Sequence, residues 1–224
     1  MTATTLAPAT RTPTVFIVED DPAVRKSLRF LMESIELNVQ TFGSAAEFLA
    51  TFQPHHSGCV VTDVRMQGMS GLELQERLLE RGSRLPLIVM TAYGEVGMAV
   101  RAMKNGAVHF FEKPINSQEL IDQIQYTLST EAQRVEQEAR EQAVLDRYHR
   151  LTAREAEVLN EVVGGFSSKE IGLRLGVSFK TVEAHRAKIM RKMEADSVPQ
   201  LIRMYLEVPA SQRLGGESSE PVSP

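Results

Sequence analysis

Five short apolar runs recur between residues 14 and 128, and each leads into a segment with helical periodicity. Because the connections are short, successive strands must run parallel and be joined by helical crossovers. Runs as apolar as LIVM indicate strands that are buried on both faces. The alternation therefore predicts a doubly wound α/β domain around a five-stranded parallel sheet. The strand segments are TVFIV (14–18), NVQTF (38–42), CVVT (59–62), LIVM (87–90) and HFF (109–111).

Residues with strong helix-terminus preferences support this alternation. Pro22 suits the first turn of a helix, Ser44 and Glu47 match a capping box, and Asn105-Gly106 matches a helix end. Ser117 opens the last helix of the domain. The predicted helices cover about 22–32, a short segment after 44, about 71–81, about 96–104 and a segment from 117.

Composition narrows the class of protein. The chain has 224 residues, of which 42% are hydrophobic and 24% charged, as in soluble globular proteins with one large or two small domains. The single cysteine, Cys59, excludes an intrachain disulfide and fits a reducing compartment. No apolar run reaches the roughly 18–20 residues of a membrane span, and the first residues lack the apolar core of a secretory signal. We expect a cytoplasmic protein with no membrane partner.

The pattern changes after residue 128. Residues 129–149 are charged and contain no Gly or Pro, which predicts a helical linker. Residues 150–207 contain closely spaced helix starts, and the short turn GVS separates the second helix from the third, which predicts a small all-α helix-turn-helix domain. Residues 1–13 and 208–224 are expected to be disordered. The helix starts are Thr152 with Glu155, Ser167 with Glu170, and Ser178.

Polar residues follow four of the five predicted strands. With the strand order 2-1-3-4-5 of flavodoxin-like sheets, ligands bind at the carboxyl ends of the strands, between strands 1 and 3. Clustered carboxylates there need a counter-charge, which Mg²⁺ with oxygen ligands can supply. Such a site can hold a phosphoryl group, with an aspartate as the nucleophile. Taken alone, an acid after a strand also fits a turn or a helix cap, and a lysine before a proline also fits an exposed surface position. The residues are Glu19 and Asp20 after strand 1, Asp63 after strand 3, Thr91 after strand 4 and Lys113 after strand 5.

Four stretches, IVEDD, VVTDVRMQGMSG, VMTAYG and FFEKP, resemble the signature segments of response-regulator receiver domains. The resemblance covers nearly all of residues 14–128 and implies a CheY-like sheet. It further implies that Asp63 is the phosphoacceptor and that Glu19 and Asp20 hold Mg²⁺ together with Asp63. The backbone carbonyl of Arg65 is implied as a further metal ligand.

The same resemblance implies a switch and a phosphate contact. Thr91 is the implied switch hydroxyl, Phe110 the aromatic side chain that follows it, and Lys113 the phosphate partner with a cis bond to Pro114. One departure is Gln67, which stands where the family usually has proline, so the loop after Asp63 is expected to be less stiff. A second departure is the glutamate, rather than aspartate, that begins the acid pair.

The segment 178–193 holds five basic residues and one acidic residue. Val182, Ile189 and Met193 have the spacing of a buried face, so the opposite face is free to meet DNA phosphates and base edges. Glu183 fits equally well as an acceptor from a cytosine amino group or as a surface acid without a base contact. The candidate DNA contacts are Lys180, Thr181, Glu183, Ala184, Ala187, Lys188 and Arg191.

Residues 151–193 resemble the LuxR/NarL-type helix-turn-helix, and the two resemblances together point to response regulators of the FixJ group. They imply a transcriptional regulator of a two-component system that accepts phosphate from a sensor histidine kinase and is not otherwise an enzyme. The implied partners are promoter DNA, RNA polymerase and a second copy of the chain, which pairs through the helix 4–strand 5–helix 5 face. Two alternatives remain: a DNA-binding or partner-binding scaffold that is not phosphorylated, and an aspartate-nucleophile phosphatase. The second is weakened because residue 65 is Arg rather than the second acid of haloacid-dehalogenase-type enzymes.

Overall fold

The computed structural model describes residues 12–54, 56–92 and 96–214. It divides the chain into two compact units, with the boundary between Arg134 and Val135. The disorder expected for residues 1–11 and 215–224 concerns positions outside the described residues. None of the helices in the described ranges is long and apolar enough to span a membrane.

The first unit is built on a five-stranded parallel sheet, and its strand order, β2-β1-β3-β4-β5, confirms the sequence prediction. Every residue of β3 and β4 is buried, because these central strands are covered on both faces. The strands are β1 (Thr14–Val18), β2 (Asn38–Phe42), β3 (Gly58–Asp63), β4 (Leu87–Thr91) and β5 (His109–Glu112).

Two apolar clusters pack this unit, and side chains that alternate along β1 contribute to them in turn. Phe16 and Val18 belong to one cluster with Phe48, whereas Val15 and Ile17 belong to the other. The alternation follows from the period of two in a strand and makes β1 a strand shared by both cores. The helices are α1 (Pro22–Glu33), α2 (Ala45–Thr51), α3 (Gly71–Glu80), α4 (Val96–Lys104) and α5 (Ser117–Tyr148).

One predicted cap forms differently from the prediction. The Ser44 side chain accepts from the Glu47 N–H as expected, but the Glu47 carboxylate accepts from the N–H of Gly43 and not of Ser44. A complete capping box occurs instead at the start of α3, between Ser70 and Glu73. This capping box joins the loop after Asp63 to α3.

In the residues that the structure describes, the second unit is all-α, as predicted, and its buried apolar side chains form one core cluster. The boxes Thr152–Glu155 and Ser167–Glu170 both form, and Gly176 ends the second helix in the left-handed conformation. The helices are α6 (Ala153–Val163), α7 (Ser168–Leu175), α8 (Phe179–Met193) and α9 (Val198–Glu207).

The structure differs from the expectation at two segments. Helix α5 continues through residues 129–148, where a helical linker was predicted, but its end is not solvated: Val144 and Tyr148 are buried in the second core. Residues 208–214 are ordered instead of belonging to a disordered tail. The Leu214 N–H donates to the Tyr148 hydroxyl at 2.8 Å, and the Arg213 guanidinium lies over the Tyr205 ring. Residues 208–214 have few apolar side chains, so these contacts help to offset the conformational entropy that is lost when the segment is ordered.

Candidate functional site

The strand register brings the acidic residues together at the carboxyl edge of the sheet. Val18 of β1 pairs with Thr62 of β3, so the residues that follow, Glu19 and Asp63, are neighbours. Both are almost fully buried. Two carboxylates in this position repel each other unless a cation or a proton compensates.

Lys113 supplies that cation. Its Nζ lies 2.8 Å from Glu19 Oε2 and 2.5 Å from Asp63 Oδ2. The Lys113 N–H donates to the Thr91 carbonyl at 2.7 Å, so the end of β4 fixes the base of this side chain. The bond between Lys113 and Pro114 is cis, as the resemblance implied. The sheet therefore delivers an ammonium group to two buried carboxylates at one edge.

For Glu19 and Lys113, the direction of the pKa shift shows whether burial or the bonds between the charged groups prevails. Burial raises the pKa of Glu19 above its ordinary value, even though Lys113 acts to lower it. Burial also acts to lower the pKa of Lys113, but its hydrogen bonds to Asp63 and Glu19 outweigh burial and hold the pKa above its ordinary value. Lys113 therefore keeps its charge at neutral pH and is available to an incoming anion.

Asp63 is held from its own loop and from α3. The Arg65 N–H donates to Asp63 Oδ1 at 3.0 Å. Gly71 packs so closely that a Cβ atom there would lie 2.1 Å from the Asp63 carbonyl oxygen, and its N–H donates to the Val64 carbonyl. The side chain of Asp63 thus has one oxygen on a backbone N–H and the other on an ammonium group.

Asp20 is bound differently from the other two acids. Its Oδ2 accepts from the Gln67 N–H at 2.9 Å, and Arg25 Nη1 donates to the backbone carbonyls of Glu19 and Asp20 at 2.6 and 3.2 Å. Asp21, the third acid of the run, caps α1 by accepting from the Ala23 N–H. The third acid therefore has a structural role, and the first two remain at the site.

Sequence reasoning missed three contributors to this geometry: the Arg25 guanidinium, the Gln67 N–H and the close packing of Gly71. An arginine one turn into a helix carries no signal of its own, because its contacts are to backbone carbonyls. Gly71 could have been noticed as the residue that opens α3 directly after the capping Ser70. The Gln67 contact depends on the path of the loop, which residue types do not specify.

The two predicted switch residues lie on neighbouring strands, β4 and the edge strand β5. Thr91, the last residue of β4, is fully buried, and Phe110 of β5 is half-buried against the same core cluster as Phe16 and Val18. Their roles in switching stay predictions.

The donor chemistry of the site fits a hard divalent cation, since Glu19, Asp20 and Asp63 all offer carboxylate oxygens. Among the residues that the structure describes, no three His, Cys, Asp or Glu side chains already converge as a metal cluster. Glu19 and Asp63 share Lys113, and Asp20 is bonded to Gln67. Two of the three acids, Glu19 and Asp63, are thus arranged here around an ammonium group, and Asp20 is held by a backbone N–H.

In the second unit, α8 has the two faces that the sequence predicted. Val182, Ile189 and Met193 are buried in the core, and the opposite face is open to solvent. The exposed residues include every candidate DNA contact: Lys180, Thr181, Glu183, Ala184, Ala187, Lys188 and Arg191.

A contact between Glu183 and α7 bears on the two alternative roles of Glu183. Its Oε1 accepts from the hydroxyl of Ser168, a buried residue of α7, and Arg186 Nη1 donates to the same hydroxyl at 3.0 Å. Ser168 therefore connects α7 to α8 through two charged residues. This contact favours a structural role for Glu183 over direct contact with a base.

Two family models match the chain, one for each unit. Residues 15–125 match the response regulator receiver domain, and residues 149–205 match the luxR family of bacterial regulatory proteins. The transcriptional regulatory protein TdiR of Thauera aromatica is 45% identical over 193 residues, which is 86% of this chain and 85% of that protein. FixJ of Azorhizobium caulinodans is 46% identical over 192 residues, 86% of this chain and 91% of that protein.

Solved structures agree with these relatives. A low-resolution structure of the response regulator StyR has a TM-score of 0.82 and 39% identity, and covers 88% of this chain and all of that one. Full-length FixJ from B. japonicum has a TM-score of 0.55 and 37% identity, with 87% and 96% covered. The chain therefore belongs to the response-regulator family of two-component transcription regulators, with a receiver domain followed by a luxR-type DNA-binding domain.

Proposed function

We propose that Asp63 accepts a phosphoryl group from a sensor histidine kinase. The observation that carries this proposal is the position of Lys113, whose ammonium group lies between Asp63 and Glu19. An ammonium group at 2.5 Å from the acceptor carboxylate is suited to contact the phosphoryl oxygens once they arrive. The receiver-type relatives support the same assignment.

In the transfer, the N–P bond of the kinase phosphohistidine breaks and an O–P bond forms at Asp63, which gives an acyl phosphate. The Arg65 N–H orients the carboxylate, and Lys113 stabilises the added negative charge. Glu19, Asp20 and Asp63, with the Arg65 carbonyl, would hold Mg²⁺, which supplies neutralisation of charge on the phosphoryl oxygens. Water then hydrolyses the acyl phosphate. In this proposal the chain acts only on its own phosphoryl group and on no other substrate.

Phosphorylation is proposed to draw Thr91 and Phe110 towards the phosphoryl group and to promote a homodimer. The apolar residues of α4 support this choice of surface, because Val96, Val100 and Met103 recur at helical spacing and are exposed. An apolar stripe of this kind is costly in water and favours a partner surface. The proposed dimer face comprises α4, β5 and α5.

Two copies of α8 on one DNA duplex are the proposed output of this dimer. Lys180, Lys188 and Arg191 would contact phosphates, while Ala184 and Ala187 allow close approach to the bases. Contact with RNA polymerase and a cytoplasmic location follow from the transcriptional role and belong to the same proposal.

Incubation with acetyl phosphate and Mg²⁺, followed by electrophoresis on a phosphate-binding gel, tests the phosphoacceptor. The wild-type chain is expected to give a retarded band, and the Asp63→Asn variant none. A wild-type chain that shows no retarded band would contradict the proposal.

The scaffold alternative is separated by DNA binding. Beryllofluoride, which stands in for the phosphoryl group on aspartate, is expected to raise the affinity of the chain for a DNA duplex, as measured by fluorescence anisotropy. Equal affinity with and without beryllofluoride would favour a phosphorylation-independent regulator.

A further inference from the structure

The Gln67 backbone N–H connects two loops that are distant in sequence. It donates to Asp20 Oδ2 at 2.9 Å and so joins the loop after β3 to the loop after β1, across 47 residues of chain. The Gln67 side chain is exposed and has no part in this contact. The donor is therefore a property of the backbone, which proline could not supply because it lacks an N–H.

Asp20 is fixed from two sides by this arrangement. Arg25 Nη1 holds its backbone carbonyl at 3.2 Å, and Gln67 holds one carboxylate oxygen. Within the described residues, the other oxygen, Oδ1, has no hydrogen-bond partner. The side chain of Asp20 is thus oriented with one oxygen engaged and one available.

Carboxylates that ligate metals are themselves hydrogen-bonded in proteins, and loss of such a supporting partner commonly lowers metal affinity by about 10–100-fold. A bond from N–H to a carboxylate is also stronger than one between neutral groups. The Gln67 N–H has the geometry of such a supporting donor, because it contacts the acid of the site that Lys113 does not contact.

We propose that the Gln67 N–H is a positioning group that presents Asp20 to the divalent cation and raises the Mg²⁺ affinity of the unphosphorylated chain. The inference rests on the proposed function, since it assumes that Glu19, Asp20 and Asp63 are the metal ligands. It also assigns the loop a restraint, a hydrogen bond to Asp20, in place of the stiffness that a proline would give.

Two variants of the full chain separate the backbone donor from the side chain. Gln67→Pro removes the N–H, and Gln67→Ala removes the side chain but keeps the N–H. In titration calorimetry with MgCl₂, without any phosphodonor, Gln67→Ala is expected to bind within about twofold of wild type, and Gln67→Pro at least about tenfold more weakly. Equal or tighter binding by Gln67→Pro would overturn the inference, as would an equal loss in both variants.

A second measurement does not depend on the proline variant being folded. Amide hydrogen exchange at Gln67 is expected to be slow in the wild-type chain and faster in Asp20→Ala, while Gln67→Ala keeps the slow rate at position 67. Equal exchange in wild type and Asp20→Ala would overturn the inference.

The calorimetry separates this inference from the proposed function. If the wild-type chain itself shows no saturable Mg²⁺ binding, the metal assignment of the proposed function fails as well. If wild type binds Mg²⁺ and Gln67→Pro binds it equally well, only the inference fails.

Discussion

Lys113 and Gly71 show how single residues shape the surroundings of Asp63 in two different ways. Lys113 neutralises the buried acids, whereas Gly71 is the only kind of residue that fits beside the Asp63 carbonyl. The first effect is electrostatic and concerns side-chain chemistry. The second is steric and concerns the absence of a side chain.

Gly71→Ala is expected to disturb Asp63 because the new Cβ would lie 2.1 Å from its carbonyl oxygen. We predict a loss of about 1–3 kcal/mol in stability of the first unit, the usual cost of overpacking, and slower labelling by acetyl phosphate. Gly97→Ala is the matched control, since a Cβ there meets nothing within 4 Å. It is expected to stabilise α4 by up to about 1 kcal/mol. Peptide-resolved hydrogen exchange measures the change in stability in both variants. Equal changes in Gly71→Ala and Gly97→Ala would contradict the steric explanation.

Glu155 gives a pH-dependent prediction in the second unit. Burial acts to raise its pKa, but bonds from Lys192 and from Thr152 outweigh burial and lower the pKa below its ordinary 4.5. The stability it contributes is thus present above pH 4.5 and is lost as the pH falls through the lowered pKa. Glu155→Gln, which keeps the cap but not the charge, is expected to cost about 1–3 kcal/mol at pH 7.

Thermal unfolding of the wild-type chain and of Glu155→Gln over a pH series checks this prediction. The difference between the two should narrow as the pH falls below 4.5. A difference that stays constant with pH would show that the lost charge is not its cause.

The side-chain chemistry of the site could be predicted from the sequence, but its backbone contacts could not. Glu19, Asp20, Asp63, Thr91 and Lys113 follow strands, and parallel topology brings strand ends together whatever the loops do. The Gln67 N–H and the Arg25 bonds to carbonyls depend on loop paths, and every non-proline residue carries the same N–H. Residue types therefore reveal the acids but not what orients them.

At the level of elements, the pairing of α7 with α8 is held by a polar contact as well as by the shared core. Ser168 is buried and bonds both Glu183 and Arg186 of the helix that is expected to meet DNA. Helix bounds were predictable because capping residues and glycines mark them, as at Thr152 and Gly176. The partner of Glu183 was not, because an acid on a basic helix gives no signal of a contact behind it.

A double-mutant cycle with Ser168→Ala and Glu183→Ala tests this contact. We predict a coupling energy of at least about 0.5 kcal/mol in local stability of the second unit, because each single change removes the same bond. Peptide-resolved hydrogen exchange on the full chain reports this unit separately from the first. Strictly additive effects would contradict a bond between the two side chains.

At the scale of the whole molecule, α5 belongs to both units. It starts after β5, and Val144 and Tyr148 at its end are buried in the core of the second unit. The sequence indicated a helix there, but not the burial of its end, since a charged segment with isolated apolar residues reads equally well as solvated. The order of residues 208–214 depends on a local contact with Tyr205 and on a bond to Tyr148, which lies 66 residues before Leu214, so composition alone predicted a disordered tail.

An occupied Asp63 is predicted to change the association of the chain. Light scattering on the full chain with Mg²⁺, with and without beryllofluoride, measures this directly. One copy has a mass of 24.9 kDa, and beryllofluoride is expected to raise the mass in solution to that of two copies, with no rise in Asp63→Asn. A wild-type mass that beryllofluoride leaves unchanged would contradict the account.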